Sequence, residues 1–252
     1  MLRENFRKYD HLLVDLDGVV WIGEKPIEDA IHALNAIKDS VRVTFVTNNS
    51  TRHRNDVVKR LRDIGINWVT VDDIVTSASA LAELISSLGI EKCYVIGEAG
   101  LVQELQERGV ELDEEADAVC VGMDRGFTYD KISIALRNLL KGALFMATNS
   151  DSTFPTEEGL MPGAGAMVAA IAAASGREPD VIIGKPNPLI LMIAARGSSN
   201  PLVIGDRVET DILGAIRAGM DSVLVLTGVT KDLRGVGPRP KFIVESLKEL
   251  LL

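Results

Sequence analysis

Short apolar runs alternate with amphipathic helical patterns along almost the whole chain. Apolar residues recur at helical spacing after Pro26, before Gly65, after Pro188 and before Gly219, and each set predicts a helix. The runs between these helices are short and rich in Val, Ile and Leu, which is typical of buried strands. They lie at 11–14, 41–46, 181–183 and 201–204. Strands that alternate with helices indicate a parallel sheet, so the pattern predicts an α/β fold with a Rossmann-like parallel-sheet core.

A second α/β series interrupts this first one. Between about Thr76 and Arg177, strand patterns again alternate with helical patterns. The strand patterns lie at 93–96, 118–121 and 144–147, and the helical patterns at 78–88, 100–108 and 132–140. The block is long enough to bury a core of its own. The sequence therefore predicts a smaller α/β domain over residues 77–177, inserted into a core that residues 1–76 and 178–252 form.

Two carboxylates, those of Asp15 and Asp17, follow the first predicted strand. Residues i and i+2 of a strand point the same way, so two acids there repel each other unless a cation or protons compensate. Gly18 suits a tight bend that opens both carboxylates into a cleft. The pair is a candidate nucleophile and metal site. The alternative is a strand end that runs into an ordinary Asp-Gly turn.

Three further predicted strands also stop at polar residues. Because ligands bind beyond the carboxyl ends of parallel strands, these side chains are expected to meet the two acids at one rim of the sheet. The residues are Thr47, Asn48 and Asn49 after one strand, Lys185 after another, and Asp206 after the last, with Asp211 five positions on. We expect Thr47 where a helix begins, a favourable place for an anion. Two alternatives stay open: Asn49 and Ser50 as helix caps, and Lys185 as a solvated lysine.

These segments together resemble the haloacid dehalogenase superfamily of phosphohydrolases. The similarity lies in Asp15-Leu16-Asp17-Gly18-Val19, Thr47-Asn48-Asn49, Gly184-Lys185-Pro186 and the segment from Gly205 to Asp211. Their order and spacing are similar to those of the NagD and p-nitrophenyl phosphatase branch, which inserts an α/β cap between the second and third motifs. The resemblance implies a HAD-like core with residues 77–177 as the cap, and a homodimer as a possible assembly.

The resemblance, with the chemistry of phosphoryl transfer, implies a role for each motif residue. Asp15 is the expected nucleophile, which forms an aspartyl-phosphate, and Asp17 is the expected general acid and base. The expected Mg²⁺ ligands are the carboxylates of Asp15 and Asp206 and the backbone carbonyl of Asp17, with Asp211 orienting Asp206. Lys185 is expected to neutralise the phosphate and Asp15, and Thr47, Asn48 and Asn49 to hold phosphate oxygens.

Substrate choice is expected to come from the cap. The segment from Ala147 to Phe154 resembles the cap substrate loop of the family, which makes Asn149, Asp151 and Phe154 candidate substrate-binding residues. The pyridoxal phosphatase branch has a histidine where Phe154 stands, so pyridoxal phosphate is disfavoured. With an acid at position 17 the chain resembles the phosphatases of the superfamily. Its dehalogenases lack an acid at this position, and its P-type ATPases carry threonine there.

Composition bears on the partners and the cellular location that are expected for the chain. The 36 acidic residues outnumber the 27 basic ones, and no basic stripe is visible, so no nucleic-acid partner is expected. No stretch has membrane-spanning length without a charge or a break. The first ten residues lack an apolar signal core, and Cys93 and Cys120 lie in apolar runs, as reduced core thiols do. A cytoplasmic location is therefore expected.

The function that these features predict is a Mg²⁺-dependent phosphatase of small phosphomonoesters. Phosphoglycolate, glycerol phosphate, sugar phosphates and nucleotides are candidate substrates, and p-nitrophenyl phosphate is a test substrate. Two alternatives use the same site. One is a phosphotransferase, in which an alcohol outcompetes water. The other is a non-catalytic phosphate sensor, which would be expected to have lost Asp15 or Asp17.

Overall fold

The computed structural model describes residues 2–156, 159–231 and 237–252 of the 252-residue chain. Two compact units compose it. The first comprises residues 1–47, 55–75 and 185–252, and the second comprises residues 48–54 and 76–184. None of the described helices is long and apolar enough to cross a lipid bilayer.

A six-stranded sheet is the centre of the first unit. Its strands are β1 (His11–Val14), β4 (Arg42–Thr47), β5 (Ile74–Thr76), β13 (Pro201–Gly205), β14 (Asp221–Val225) and β15 (Phe242–Val244). Their order is β15-β14-β13-β1-β4-β5. The pairings of β1 with β13 and β4, of β13 with β14 and of β14 with β15 are parallel. These parallel pairings confirm the predicted α/β class. Buried Val, Leu and Ile fill the central strands, as is typical of a parallel sheet.

Helices cover this sheet, and a small hairpin follows its first strand. The helices are α1 (Glu28–Ile37), α2 (Arg54–Asp63), α7 (Leu189–Ala194) and α8 (Leu213–Arg217), with a π-helical turn at Val208–Ile212 and 3₁₀ turns at Glu4–Phe6, Val71–Asp73 and Leu247–Leu250. The hairpin consists of β2 (Trp21–Ile22) and β3 (Lys25–Pro26), which pair antiparallel. Leu34 and Ile37 of α1 pack with Leu12 and Val14 of β1 in the main hydrophobic core.

The second unit has a five-stranded parallel sheet. Its strands are β6 (Lys92–Ile96), β7 (Glu111–Leu112), β8 (Ala118–Val121), β9 (Leu144–Ala147) and β12 (Val181–Ile182), in the order β12-β9-β8-β6-β7. Its helices are α3 (Ser77–Ser87), α4 (Ala99–Glu107), α5 (Tyr129–Leu140) and α6 (Ala164–Ser175). An antiparallel hairpin, β10 (Thr153–Thr156) with β11 (Gly159–Pro162), completes it. Cys93 and Cys120 are buried free thiols.

Two features of this arrangement differ from the sequence expectations. The strand expected in the core sheet at 181–183 is β12, and it pairs with Met146 and Ala147 of β9 in the second sheet. A short apolar run carries no information about which sheet it joins, because its partner comes from a distant segment. The helix expected directly after Thr47 begins instead at Arg54, and residues 48–54 group with the second unit.

Candidate active site

The first unit brings polar residues together at the carboxyl ends of three adjacent strands. Asp15 follows β1, Asp206 follows β13, and Thr47 is the last residue of β4. Strand β1 lies between the other two, and the Asp15 backbone N–H donates to the Ile204 carbonyl oxygen at 2.8 Å. All three side chains are buried. The sheet therefore holds them at one rim, as expected for a ligand site of an open parallel sheet.

Lys185 lies buried among these strand ends. Its Nζ donates to Asp15 Oδ1 and to Asp211 Oδ1 at 2.6 Å each, and to the Val46 carbonyl oxygen at 3.2 Å. Burial acts to lower the pKa of Lys185, but the carboxylates of Asp15 and Asp211 outweigh it and raise that pKa above its ordinary value. Lys185 is therefore a fixed buried cation, and the alternative of a solvated lysine does not describe it.

The acids around Lys185 carry more negative charge than the lysine offsets. Burial raises the pKa of Asp15 well above its usual value; Lys185 opposes this rise, and the nearby carboxylates of Asp211 and Asp206 add to it. Burial, followed by the charge of Asp211, raises the pKa of Asp206 to about 6. A further positive charge at this position would favour the ionised form of both acids.

The donor atoms present fit a hard divalent cation. Ligand oxygens of Asp15, Asp206 and Asp211 lie within 4.8 Å of one another. Asp206 Oδ2 accepts from the Val229 backbone N–H at 2.5 Å, whereas Oδ1 is buried and has no hydrogen-bond partner among the described residues. A buried carboxylate oxygen without a partner is costly, and Mg²⁺ prefers such oxygens as ligands.

Glycines shape the space around Asp206. A Cβ atom on Gly18 would lie 2.3 Å from Asp206 Oδ2, and one on Gly228 would lie 1.9 Å from the same oxygen. Gly18 also has φ +86°, a conformation that L side chains rarely adopt. Neither position therefore accepts a larger residue while Asp206 keeps its place.

Asp211 is held by protein groups in the π-helical turn. Its Oδ1 accepts from Lys185, and its Oδ2 accepts from the Arg207 backbone N–H at 3.1 Å. A Cβ on Gly205 would lie 2.2 Å from Asp211 Cγ, so the strand end and the Asp211 carboxyl group are in close contact. These bonds fit a residue that orients its neighbours more than one that binds a metal directly.

Asp17 differs from Asp15 in its surroundings. Strand β1 ends at Val14, so both acids lie in the loop after it, where Asp15 is buried and Asp17 is exposed. The indole Nε1 of Trp21 donates to Asp17 Oδ1 at 2.9 Å. The backbone bonds of this loop, Gly18 N–H to Trp21 O and Trp21 N–H to Leu16 O, do not use the Asp17 carbonyl oxygen. That oxygen is compatible with the metal-binding role expected for it.

The second unit holds the other candidate substrate residues. Asn48 Nδ2 donates to Asp151 Oδ2 at 3.0 Å, and Asn149 Nδ2 donates to the Asn48 carbonyl oxygen at 2.9 Å. Asn149 Oδ1 also accepts from the Asp151 backbone N–H at 3.1 Å. The three residues therefore form one polar cluster, although Asn48 is 101 positions from Asn149 and 103 from Asp151 in the sequence.

Asn49 and Phe154 lie in local structures that the sequence interpretation did not include. Asn49 Oδ1 accepts from the backbone N–H and the hydroxyl of Thr51 at 2.9 and 2.8 Å, which is an Asx-type turn. It does not cap α2, because that helix begins at Arg54. Phe154 is a half-buried residue of β10 and pairs with Met161 of β11. The hairpin strands are only four residues each, too short for a clear alternation.

Comparison with known proteins gives two family matches, one in each half of the chain. The model of the haloacid dehalogenase-like hydrolase family matches residues 12–111, and a HAD-hydrolase-like model matches residues 182–250. The 5'-nucleotidase YutF of Bacillus subtilis is 38% identical over 252 residues, which cover 96% of this chain and 98% of the relative. The chain belongs to the haloacid dehalogenase-like hydrolases.

Solved structures of this hydrolase family agree closely with the fold. A p-nitrophenyl phosphatase from Archaeoglobus fulgidus has a TM-score of 0.91 and 34% identity, with 96% of this chain and 98% of that chain covered. A glycerol phosphate phosphatase from Mycobacterium tuberculosis, crystallised with magnesium, has a TM-score of 0.90 and 35% identity, with coverages of 100% and 79%. The predicted branch and the predicted enzyme class, phosphoric monoester hydrolase, are confirmed by these likenesses.

The hydrolase has a second group of ionisable residues that sequence reasoning missed. In the second unit, His53 Nε2 lies 3.1 Å from Glu107 Oε1 and 3.4 Å from Glu104 Oε1. Glu104 is fully buried, and Arg54 Nε and Arg108 lie 2.8 and 3.3 Å from its carboxylate oxygens. Two guanidinium groups already compensate the buried acid, so the group is an ion-pair network that anchors residues 48–54 to α4. No local pattern could have indicated it, because Arg54 and Glu104 are 50 positions apart.

Proposed function

We propose that this protein is a Mg²⁺-dependent phosphatase that hydrolyses small phosphomonoesters through an aspartyl-phosphate on Asp15. The observation that carries the proposal is the cluster of Asp15, Asp206 and Asp211 with the buried Lys185. Lys185 Nζ lies 2.6 Å from Asp15 Oδ1, and Asp206 Oδ1 has no hydrogen-bond partner among the residues described. Phosphoryl transfer needs a nucleophile and concentrated positive charge. The names of the relatives, which are phosphatases and a nucleotidase, support the same class of reaction.

The residues that would hold magnesium are Asp15 and Asp206 through their carboxylates and Asp17 through its backbone carbonyl oxygen. Asp211 keeps Lys185 and the Arg207 backbone in place beside them. A bound magnesium ion would supply positive charge to the phosphoryl group and to the ionised form of Asp15. This requirement agrees with the raised pKa of Asp15, which burial causes first and the carboxylates of Asp211 and Asp206 increase.

In the first chemical step, Asp15 attacks phosphorus while the bond from phosphorus to the leaving oxygen breaks. Lys185 offsets charge on Asp15 and on the phosphoryl oxygens, and the Thr47 hydroxyl contributes a hydrogen bond to them. Asp17 gives its proton to the leaving oxygen. In the second step Asp17 takes a proton from the water that attacks the aspartyl-phosphate, which releases phosphate and restores both acids.

The metal requirement tests this proposal directly. Hydrolysis of p-nitrophenyl phosphate is expected to stop in excess chelator and to return when Mg²⁺ is added. Asp206→Ala is expected to raise the Mg²⁺ concentration for half-maximal activity by about tenfold or more, because a carboxylate ligand is lost. A Mg²⁺ titration of kcat measures this.

The control for this variant is Asp63→Ala, which removes an exposed aspartate of the same unit at the end of α2. Its Mg²⁺ titration should match that of the wild type. Full activity of the wild type in excess chelator would contradict the metal-dependent mechanism.

We also propose that the second unit is the cap that determines substrate range. The cluster of Asn48, Asn149 and Asp151 supports this, because Asn48 directly follows the phosphate-site residue Thr47 in the chain. The relatives are named for nucleotide, p-nitrophenyl phosphate and glycerol phosphate substrates. Small phosphorylated metabolites of these kinds are therefore the substrates to test first.

Substitutions in the second unit should change substrate preference without changing phosphate affinity. Asp151→Ala and Phe154→His are expected to reorder kcat/KM among a panel of phosphomonoesters by severalfold. The inhibition constant for inorganic phosphate should stay within about twofold, because free phosphate has no leaving group to recognise. Asp130→Ala, at an exposed position of α5, is the control. An unchanged ranking together with a large shift in phosphate inhibition would refute this assignment.

A further inference from the structure

The carboxyl group of Asp17 is contacted by a buried tryptophan. Trp21 is 4% exposed, and its indole Nε1 donates to Asp17 Oδ1 at 2.9 Å, whereas Asp17 is exposed. An exposed aspartate can rotate among several side-chain conformers. A directed N–H donor restricts it to those in which Oδ1 faces the indole.

Trp21 is itself held firmly. Its ring packs against the guanidinium group of Arg60, with Arg60 Cζ 4.1 Å from the ring centroid, and Arg60 also donates to the Gly23 carbonyl oxygen. Such a cation–π contact stabilises the ring orientation. The Trp21 backbone closes the Asp17 loop, because its carbonyl oxygen accepts from the Gly18 N–H at 2.7 Å. Backbone and ring therefore both determine where the indole N–H points.

We propose that Trp21 is a positioning residue that orients Asp17 for proton transfer. The inference rests on the proposed function, in which Asp17 is the general acid and base. Because the indole engages Oδ1, Oδ2 is the oxygen assigned to proton transfer. When the bond from phosphorus to the leaving oxygen breaks, that oxygen keeps the electron pair and takes the proton from Oδ2. The indole N–H can donate but cannot accept, so it stabilises the carboxylate that this step leaves behind.

The leaving group provides a test that a purely structural role would not satisfy. Nitrophenolate leaves with little protonation, whereas phenolate needs the acid. Trp21→Phe, which keeps an aromatic ring but loses the donor, is expected to lower kcat/KM for phenyl phosphate about tenfold more than kcat/KM for p-nitrophenyl phosphate. The inhibition constant for inorganic phosphate should change less than about twofold. Asp17→Asn should show the same pattern more strongly.

The chain offers a matched control. Its other tryptophan, Trp68, is also in the first unit and donates its indole N–H to Asn35 Oδ1 at 3.0 Å. Trp68→Phe removes an equivalent hydrogen bond away from the catalytic acids. The ratio of kcat/KM for phenyl phosphate to kcat/KM for p-nitrophenyl phosphate should therefore stay at the wild-type value. In the Asp17→Asn background, Trp21→Phe should not change that ratio further, because Trp21 acts through Asp17.

A measurement that leaves Trp21 in place guards against a variant that does not fold. The ¹H–¹⁵N spectrum should contain two indole cross-peaks, one for each tryptophan of the chain, and Trp68→Phe assigns them. Asp17→Asn should shift the Trp21 peak and leave the Trp68 peak unchanged. The inference is overturned if that peak does not shift, or if Trp21→Phe lowers kcat/KM for both substrates by the same factor. If wild-type enzyme with Mg²⁺ hydrolyses neither ester, the proposed function itself fails and the inference fails with it.

Discussion

Asp15→Asn is expected to abolish turnover of p-nitrophenyl phosphate and to leave the fold intact. An amide cannot form the aspartyl-phosphate, so the covalent intermediate is lost. The protein should still fold, because the oxygen of the new amide can accept from Lys185, which also keeps its 2.6 Å bond to Asp211. We expect a loss of about a thousandfold or more in kcat with saturating Mg²⁺, and a free energy of unfolding within about 1 kcal/mol of the wild type.

Rate and stability must be measured on the same preparation for this result to be decisive. Urea unfolding gives the stability, and Asp63→Asn is the control, because it changes an exposed aspartate to the same amide. Activity of Asp15→Asn within about tenfold of wild type would correspond to a barrier change of only about 1.4 kcal/mol. That result would remove Asp15 from the role of nucleophile.

Lys185→Met is expected to lower both activity and stability. The side chain is 4% exposed and lies between the carboxylates of Asp15 and Asp211. Removing one partner of a buried ion pair leaves uncompensated buried charge, which costs about 3–5 kcal/mol. The same change removes the cation proposed to offset charge on the phosphoryl group. Urea unfolding in chelator and kcat in saturating Mg²⁺ measure the two effects separately.

A double variant separates the electrostatic cost from a packing cost. Lys185→Met with Asp211→Asn removes one of the two carboxylates that lost their cation, so part of the stability should return. Activity should stay low, because neither substitution restores the cation. If Lys185→Met unfolds at the same urea concentration as the wild type, Lys185 does not stabilise the folded state.

Local sequence was sufficient for three adjacent strands of the core sheet and for the polar residues at their carboxyl ends. The strands β1, β4 and β13 lie within one residue of the apolar runs that predicted them. Buried parallel strands need continuous apolar residues, and the polar residues Asp15, Thr47 and Asp206 mark where each apolar run ends. Both signals are local, so they are readable in order along the chain. The same holds for most helices of the inserted block, whose limits differ from the predicted ones by only a few residues.

Only the tertiary structure decided which distant segments meet. It placed β12 beside β9, joined residues 48–54 to α4 through the buried Glu104, and brought Asn48 to Asp151. It also gave Asp15 and Asp17 different surroundings, because the chain turns after Val14 and Trp21 returns to Asp17. Periodicity records how one element buries its own face. The choice of partner depends on packing and hydrogen bonds between residues that are far apart in sequence, and no local pattern encodes it.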